Sequence, residues 1–95
     1  MRIIQLRPKK NLELSQGESG ESFAFDHATG VIFHLNPLGT LILARIMRSP
    51  CTLDQLVEEA RSQFTIAEEV IRQDLQSFLD DVIAEGLAEW TDEPQ

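Results

Sequence analysis

The sequence predicts an α+β domain in which short antiparallel strands precede three helices. Three observations lead there. Residues 22–35 carry two runs of aromatic and β-branched residues around a loop that ends in Gly30. Asn36-Pro37 then switches the apolar spacing from two to that of a helix. Two further helix starts follow at Thr52 and Thr65, each with Gln or Glu three residues on. At 95 residues the chain is expected to form a single domain spanning 1–95.

Each element has its own local signal. Arg2 to Leu6 holds Ile3-Ile4 and is expected to end at Pro8, which lacks a ladder donor. Leu12 and Leu14 alternate with polar neighbours and give a second short strand, followed by a loop through Gly17, Glu18 and Gly20. Ser22–Phe25 and Val31–Leu35 form the arms of a β-hairpin. On the second arm Val31, Phe33 and Leu35 share one face, and Ile32 and His34 the other.

Asn36 suits an N-cap and Pro37 the first helical position, where its missing N–H costs nothing. Leu38, Leu41, Ile42, Ala44, Ile46 and Met47 make the following helix apolar around much of its circumference, hence central, until Ser49-Pro50 stops it. Thr52 and Gln55 open a second helix with Leu53, Leu56, Val57 and Ala60 inward. Thr65 and Glu68 predict a third over Ile66 to Glu85, with a stripe of Ala67, Ile71, Leu75, Phe78 and Val82 widened by Leu79 and Ile83. Gly86 suits the left-handed residue after it. Leu87 to Trp90 can add a strand or pack back, and the last five residues are expected to fray. The order is that of a winged helix-turn-helix-like domain.

Charge narrows the function. The chain carries −8, split into +2 over residues 1–48 and −10 over residues 49–95. An acidic half repels phosphate backbones and anionic membranes and favours a partner with basic residues. The third helix, where a winged helix would read DNA, carries six acids against Arg72 alone. Arg7, Lys9 and Lys10 form too small a basic spot to reverse that, so no nucleic-acid partner is expected. No apolar stretch approaches membrane-spanning length and no signal-peptide pattern opens the chain, which points to the cytoplasm.

Chemistry-bearing constellations do not emerge. His27 and His34 are seven apart, Cys51 is remote, and no paired Cys or His motif is present, so no metal or cofactor is expected. Cys51 before a capping Thr has weak claims as a nucleophile and reads better as a small residue in an interhelical turn. Adjacent acids such as Asp80-Asp81 diverge by about 100° on a helix and cannot share a substrate. The chain is expected not to be an enzyme.

The stretch Phe25-Asp26-His27-Ala28-Thr29-Gly30-Val31-Ile32-Phe33-His34-Leu35-Asn36-Pro37-Leu38-Gly39 resembles the PqqD family signature. That signature has an apolar strand, an acidic residue, a Thr-Gly turn, a strand ending aromatic-x-Leu-Asn, and a Gly three residues on. Thr52 to Leu56, then Asp74, Phe78 and Leu79, then Gly86-Leu87 continue the likeness, which covers roughly residues 22–90. Leu43 stands where many relatives carry Trp, and His34 where a cation is common.

The resemblance implies a peptide chaperone. It would bind the leader of a ribosomally made precursor peptide and present it to a modifying enzyme, often of the radical SAM type, as in pyrroloquinoline quinone (PQQ) synthesis. The implied groove lies between the strand Val31-Ile32-Phe33-His34-Leu35 and the third helix, with Leu75, Leu79 and Ile83 offering apolar contacts and Arg72 a cation for a leader carboxylate. Phe33 and Leu35 read better as core, and Arg72 can equally pair with Glu68 or Glu69. An open strand edge also permits a homodimer. The alternative is an acidic winged-helix adaptor or transcription-related module without a peptide substrate.

Overall fold

Local chemistry accounts for most of the elements, and long-range pairing arranges them. The structure, a computed structural model, describes residues 2–7, 11–17 and 21–92. Within them the order is β1 (Arg2–Leu6), β2 (Leu12–Gln16), β3 (Ser22–Asp26), β4 (Val31–Leu35), α1 (Pro37–Arg48), α2 (Leu53–Gln63), α3 (Glu68–Ala84) and β5 (Ala88–Asp92). The α+β class and the winged outline are as the sequence predicts. Pro8, Lys9, Lys10, the loop residues 18–20 and the last three residues lie outside the described residues.

The strands fall into two sheets. β2, β3 and β4 form an antiparallel three-stranded wing in that order, with Ala24 opposite both Leu14 and Phe33. β1 instead pairs with β5, placing Ile4 opposite Trp90 and Arg2 opposite Asp92. Of the two readings for Leu87 to Trp90, the strand is the one that forms. Thr91 and Asp92 correct the expectation of a frayed tail, because their backbones complete the ladder against Ile3 and Arg2.

The hairpin turn is held from below. Asp26 is 1% exposed, and its carboxylate accepts from the Ala28 N–H at 3.0 Å and the Thr29 hydroxyl at 3.0 Å. An Asx-type turn of this kind explains why an acid can stand at the end of an otherwise apolar strand.

Helix ends follow their caps with one exception. Asn36 accepts from the Gly39 N–H at 2.6 Å, and Thr52 and Gln55 form the full capping box. The box expected at Thr65 and Glu68 does not form: α3 starts at Glu68 from Ala67, with no side-chain cap. Residues 64–67 lie outside any helix, and Glu68 turns away to Arg61 at 3.1 Å and Arg72 at 3.5 Å. Two charged partners outcompete one backbone N–H for that carboxylate. At the other end Gly86 has φ 77°, its N–H reaches the Ile83 carbonyl at 3.0 Å, and the Leu87 N–H reaches Val82 at 2.9 Å. That double bond is a Schellman motif, which turns the chain back toward β1.

Ile42, Leu43, Leu56, Ile71, Leu75 and Leu79 from the helices are fully buried, joined by Ile4 of β1 and Leu87. Phe33 and Leu35 pack against this core from the wing. Ile66 and Ala67, expected to begin α3 and its stripe, are exposed because the helix starts after them.

Candidate functional site

β4 is an edge strand. It pairs with β3 on one side, and among the described residues no strand pairs with the other. Such an edge presents unpaired N–H and C=O groups to any extended chain of suitable reach. Its side chains divide as alternation requires. Phe33 and Leu35 point inward and are half-buried, Ile32 opposite Phe25 is 54% exposed, and His34 opposite Phe23 is exposed. Val31, at the start of the inward set, is still 43% exposed. The edge therefore carries apolar side chains on both faces that the monomer leaves partly uncovered.

Where β4 runs into α1, a cleft of about 230 Å³ opens between Asn36 and the α3 residues Asp74, Ser77, Phe78 and Asp81. The spacing 74, 77, 78, 81 puts those four side chains on one helical face. Phe78 is half-buried and its ring lies against Gly39: a Cβ placed there would stand 3.0 Å from Phe78 Cε1 and 3.1 Å from Asn36 Oδ1. Gly39, the glycine that closes the signature, thus lets the first turn of α1 approach the α3 ring without disturbing its own cap.

The residues expected on the helix side divide sharply. Leu75 and Leu79 are 0% exposed, so they support the wall from behind and offer no surface to a ligand. Arg72 donates to Asp54 at 3.2 Å and lies 3.5 Å from Glu68. Ile83 lines a separate cleft with Arg2, Leu53 and Trp90, where the Arg2 guanidinium stacks 4.6 Å from the indole centroid. At about 100° per residue, Arg72 and Ile83 fall on the opposite side of α3 from Asp74. The structure does not bring them to the β4 side, because the buried stripe through Ile71, Leu75 and Val82 sets the rotation of the helix. In the sequence Asn36 reads as a helix cap, and Asp74, Ser77 and Asp81 read first as solvated surface, so nothing local marks them as a site. The shared face of Asp74, Ser77 and Asp81 is legible in the sequence; its orientation toward the strand end is not.

The remaining reactive groups are structural. Cys51 is 1% exposed and exchanges backbone hydrogen bonds with Ile4 at 2.8 and 3.2 Å. Burial pushes its thiol above the ordinary range, with nearby Arg45 opposing and Glu59 adding. A neutral buried thiol is a poor nucleophile. His27 contacts Glu13 at 2.7 Å on the wing surface. No group of three or more His, Cys, Asp or Glu side chains among the described residues could hold a metal ion.

Residues 21–88 match the family described as coenzyme PQQ synthesis protein D, PqqD. The chain belongs to the PqqD family. No curated protein matches it. Among solved structures, this PqqD-family chain is similar to a lasso peptide synthetase B1 complexed with the leader peptide. The two share 19% identity at a TM-score of 0.67, with 90% of this chain and 96% of that one covered. It is also similar to TbiB1 in complex with the TbiA(beta) leader peptide, at 16% identity and a TM-score of 0.69, covering 90% and 94%. At these identities the likeness shows a shared fold. None of the helices described is long and apolar enough to cross a membrane.

Proposed function

We propose that this chain binds the leader segment of a ribosomally made precursor peptide by strand addition at β4 and presents it to a peptide-modifying enzyme. The observation that carries this reading is the free edge of β4, bordered at its end by the α3 cleft. Membership of the PqqD family supports it, and both similar folds are complexes with a leader peptide. The chain's part is binding rather than catalysis, carried out in the cytoplasm where the precursor is made. The family name points to quinone-cofactor synthesis, for which the sequence resemblance implies a radical SAM partner, whereas one of the similar folds is a lasso peptide synthetase. Leader binding is common to both readings.

Val31, Ile32, Phe33, His34 and Leu35 supply the backbone edge in this proposal, with Ile32 and His34 flanking the added strand on the outer face. A second copy of the chain adding across the same edge would compete with the leader, so the peptide should dissociate any such dimer.

The test is an amide-resolved titration with synthetic leader segments of ribosomally made precursor peptides. Saturable shifts at residues 31–35 and at the 74–81 face of α3 are expected. Shifts confined to other surfaces, or none with any such peptide, overturn the proposal and favour the adaptor reading. Successive N–H groups on a strand point to opposite sides, so of Ile32→Pro and Phe33→Pro one removes an edge donor without breaking the β3 ladder. That variant should stay folded and lose binding.

A further inference from the structure

The cleft at the end of β4 carries charge of one sign. Asp74 and Asp81 both line it, separated along α3 by about 10 Å at 1.5 Å per residue. Among the described residues neither carboxylate has an ion-pair or side-chain hydrogen-bond partner. On the far flank, by contrast, Asp54 and Glu68 are held by Arg72 and Arg61. The protein's own arginines are thus spent away from the cleft, which leaves two uncompensated acids beside the strand edge.

We infer that this cleft receives a cationic side chain, Lys or Arg, from the leader peptide. The inference rests on the leader-binding reading and specifies what that leader carries where it passes the end of β4. The half-buried Phe78 ring offers an apolar and π-rich surface to the stem and head of such a side chain. Asp74 and Asp81 stand on the same helical face to receive the charge. An anionic or neutral polar residue there would cover the two carboxylates without neutralising either, and desolvating unpaired charges is costly.

The competing field is that of the α1 N-terminus, which opens onto the same cleft through Asn36. Its donors are largely taken: the Gly39 N–H by Asn36 Oδ1 at 2.6 Å, the Thr40 N–H by the Asn36 carbonyl at 2.9 Å, and Pro37 has none. A helix end is worth roughly half a positive charge, so two full negative charges decide the sign.

Fluorescence anisotropy tests this with the synthetic leader segments used above, each Lys or Arg replaced singly by Gln. They are titrated against the wild type, the Asp74→Asn/Asp81→Asn double variant, and Glu69→Gln as a control on the far flank of α3. One Lys or Arg replacement is expected to weaken binding about tenfold at low salt. The Asp74→Asn/Asp81→Asn variant should weaken the parent peptide similarly and show no further loss with that replaced peptide. Glu69→Gln should leave affinity unchanged.

Three results overturn the inference. The first is a leader that shifts the β4 amides yet binds the Asp74→Asn/Asp81→Asn variant at full affinity, which leaves the leader-binding reading standing. The second is an equal loss with Glu69→Gln, which would mean a diffuse field rather than a cleft. The third is binding that bypasses β4 altogether, which removes both readings.

Discussion

Replacing Gly39 by Ala sets two known effects against each other at one atom. In an open helix the change would stabilise α1 by about 1 kcal/mol. Here the new Cβ would meet Phe78 Cε1 at 3.0 Å and Cδ1 at 3.3 Å, and Asn36 Oδ1 at 3.1 Å. Overpacking of this kind costs about 1–3 kcal/mol. Displacing Asn36 also loosens a cap of about 1 kcal/mol. The steric side wins, for a net loss of about 1–3 kcal/mol, or roughly 4–24 °C in Tm for a domain of this size.

Urea unfolding followed by the single Trp90 and by helical circular dichroism measures it. Phe78→Leu removes the opposing ring edge, so in that background Gly39→Ala should cost little or nothing. The Phe78→Leu change alone should weaken leader binding, because that ring lines the cleft. A Gly39→Ala protein as stable as the wild type, or a cost that persists after Phe78→Leu, refutes the close approach of α1 and α3 at this point.

Asp26→Ala should destabilise the hairpin by about 2–3 kcal/mol, since it strips the acceptor from the Ala28 N–H and the Thr29 hydroxyl. Chemical denaturation reads this directly, and a change within about 0.5 kcal/mol would contradict the turn described. Cys51 should resist iodoacetamide in the folded protein well into the pH range where a free thiol reacts, because burial raises its pKa. Labelling should then track global unfolding. Rapid modification under native conditions, at the rate of an unstructured cysteine, would show that the Ile4–Cys51 bridge opens.

What the sequence determined by itself was local. The hairpin over Ser22–Leu35, the Asn36-Pro37 start, the capping box at Thr52 and the reversal at Gly86 all depend on residues within a turn or two of each other. Short-range sterics and hydrogen bonds suffice to set them. The family signature lay in that same stretch, so the family became legible there too.

Tertiary structure decided what depends on residues far apart. β1 pairs with β5 across nearly the whole chain, and nothing near Ile3-Ile4 names Thr91 and Trp90 as partners. The start of α3 moved from Ile66 to Glu68 once Arg61 and Arg72 claimed the capping acid. The rotation of α3 turned Asp74 and Asp81 to the strand end and Arg72 away from it, because burial of Ile71, Leu75, Leu79 and Val82 fixes all other faces at once. A periodic pattern shows which side chains travel together; only packing shows where they point.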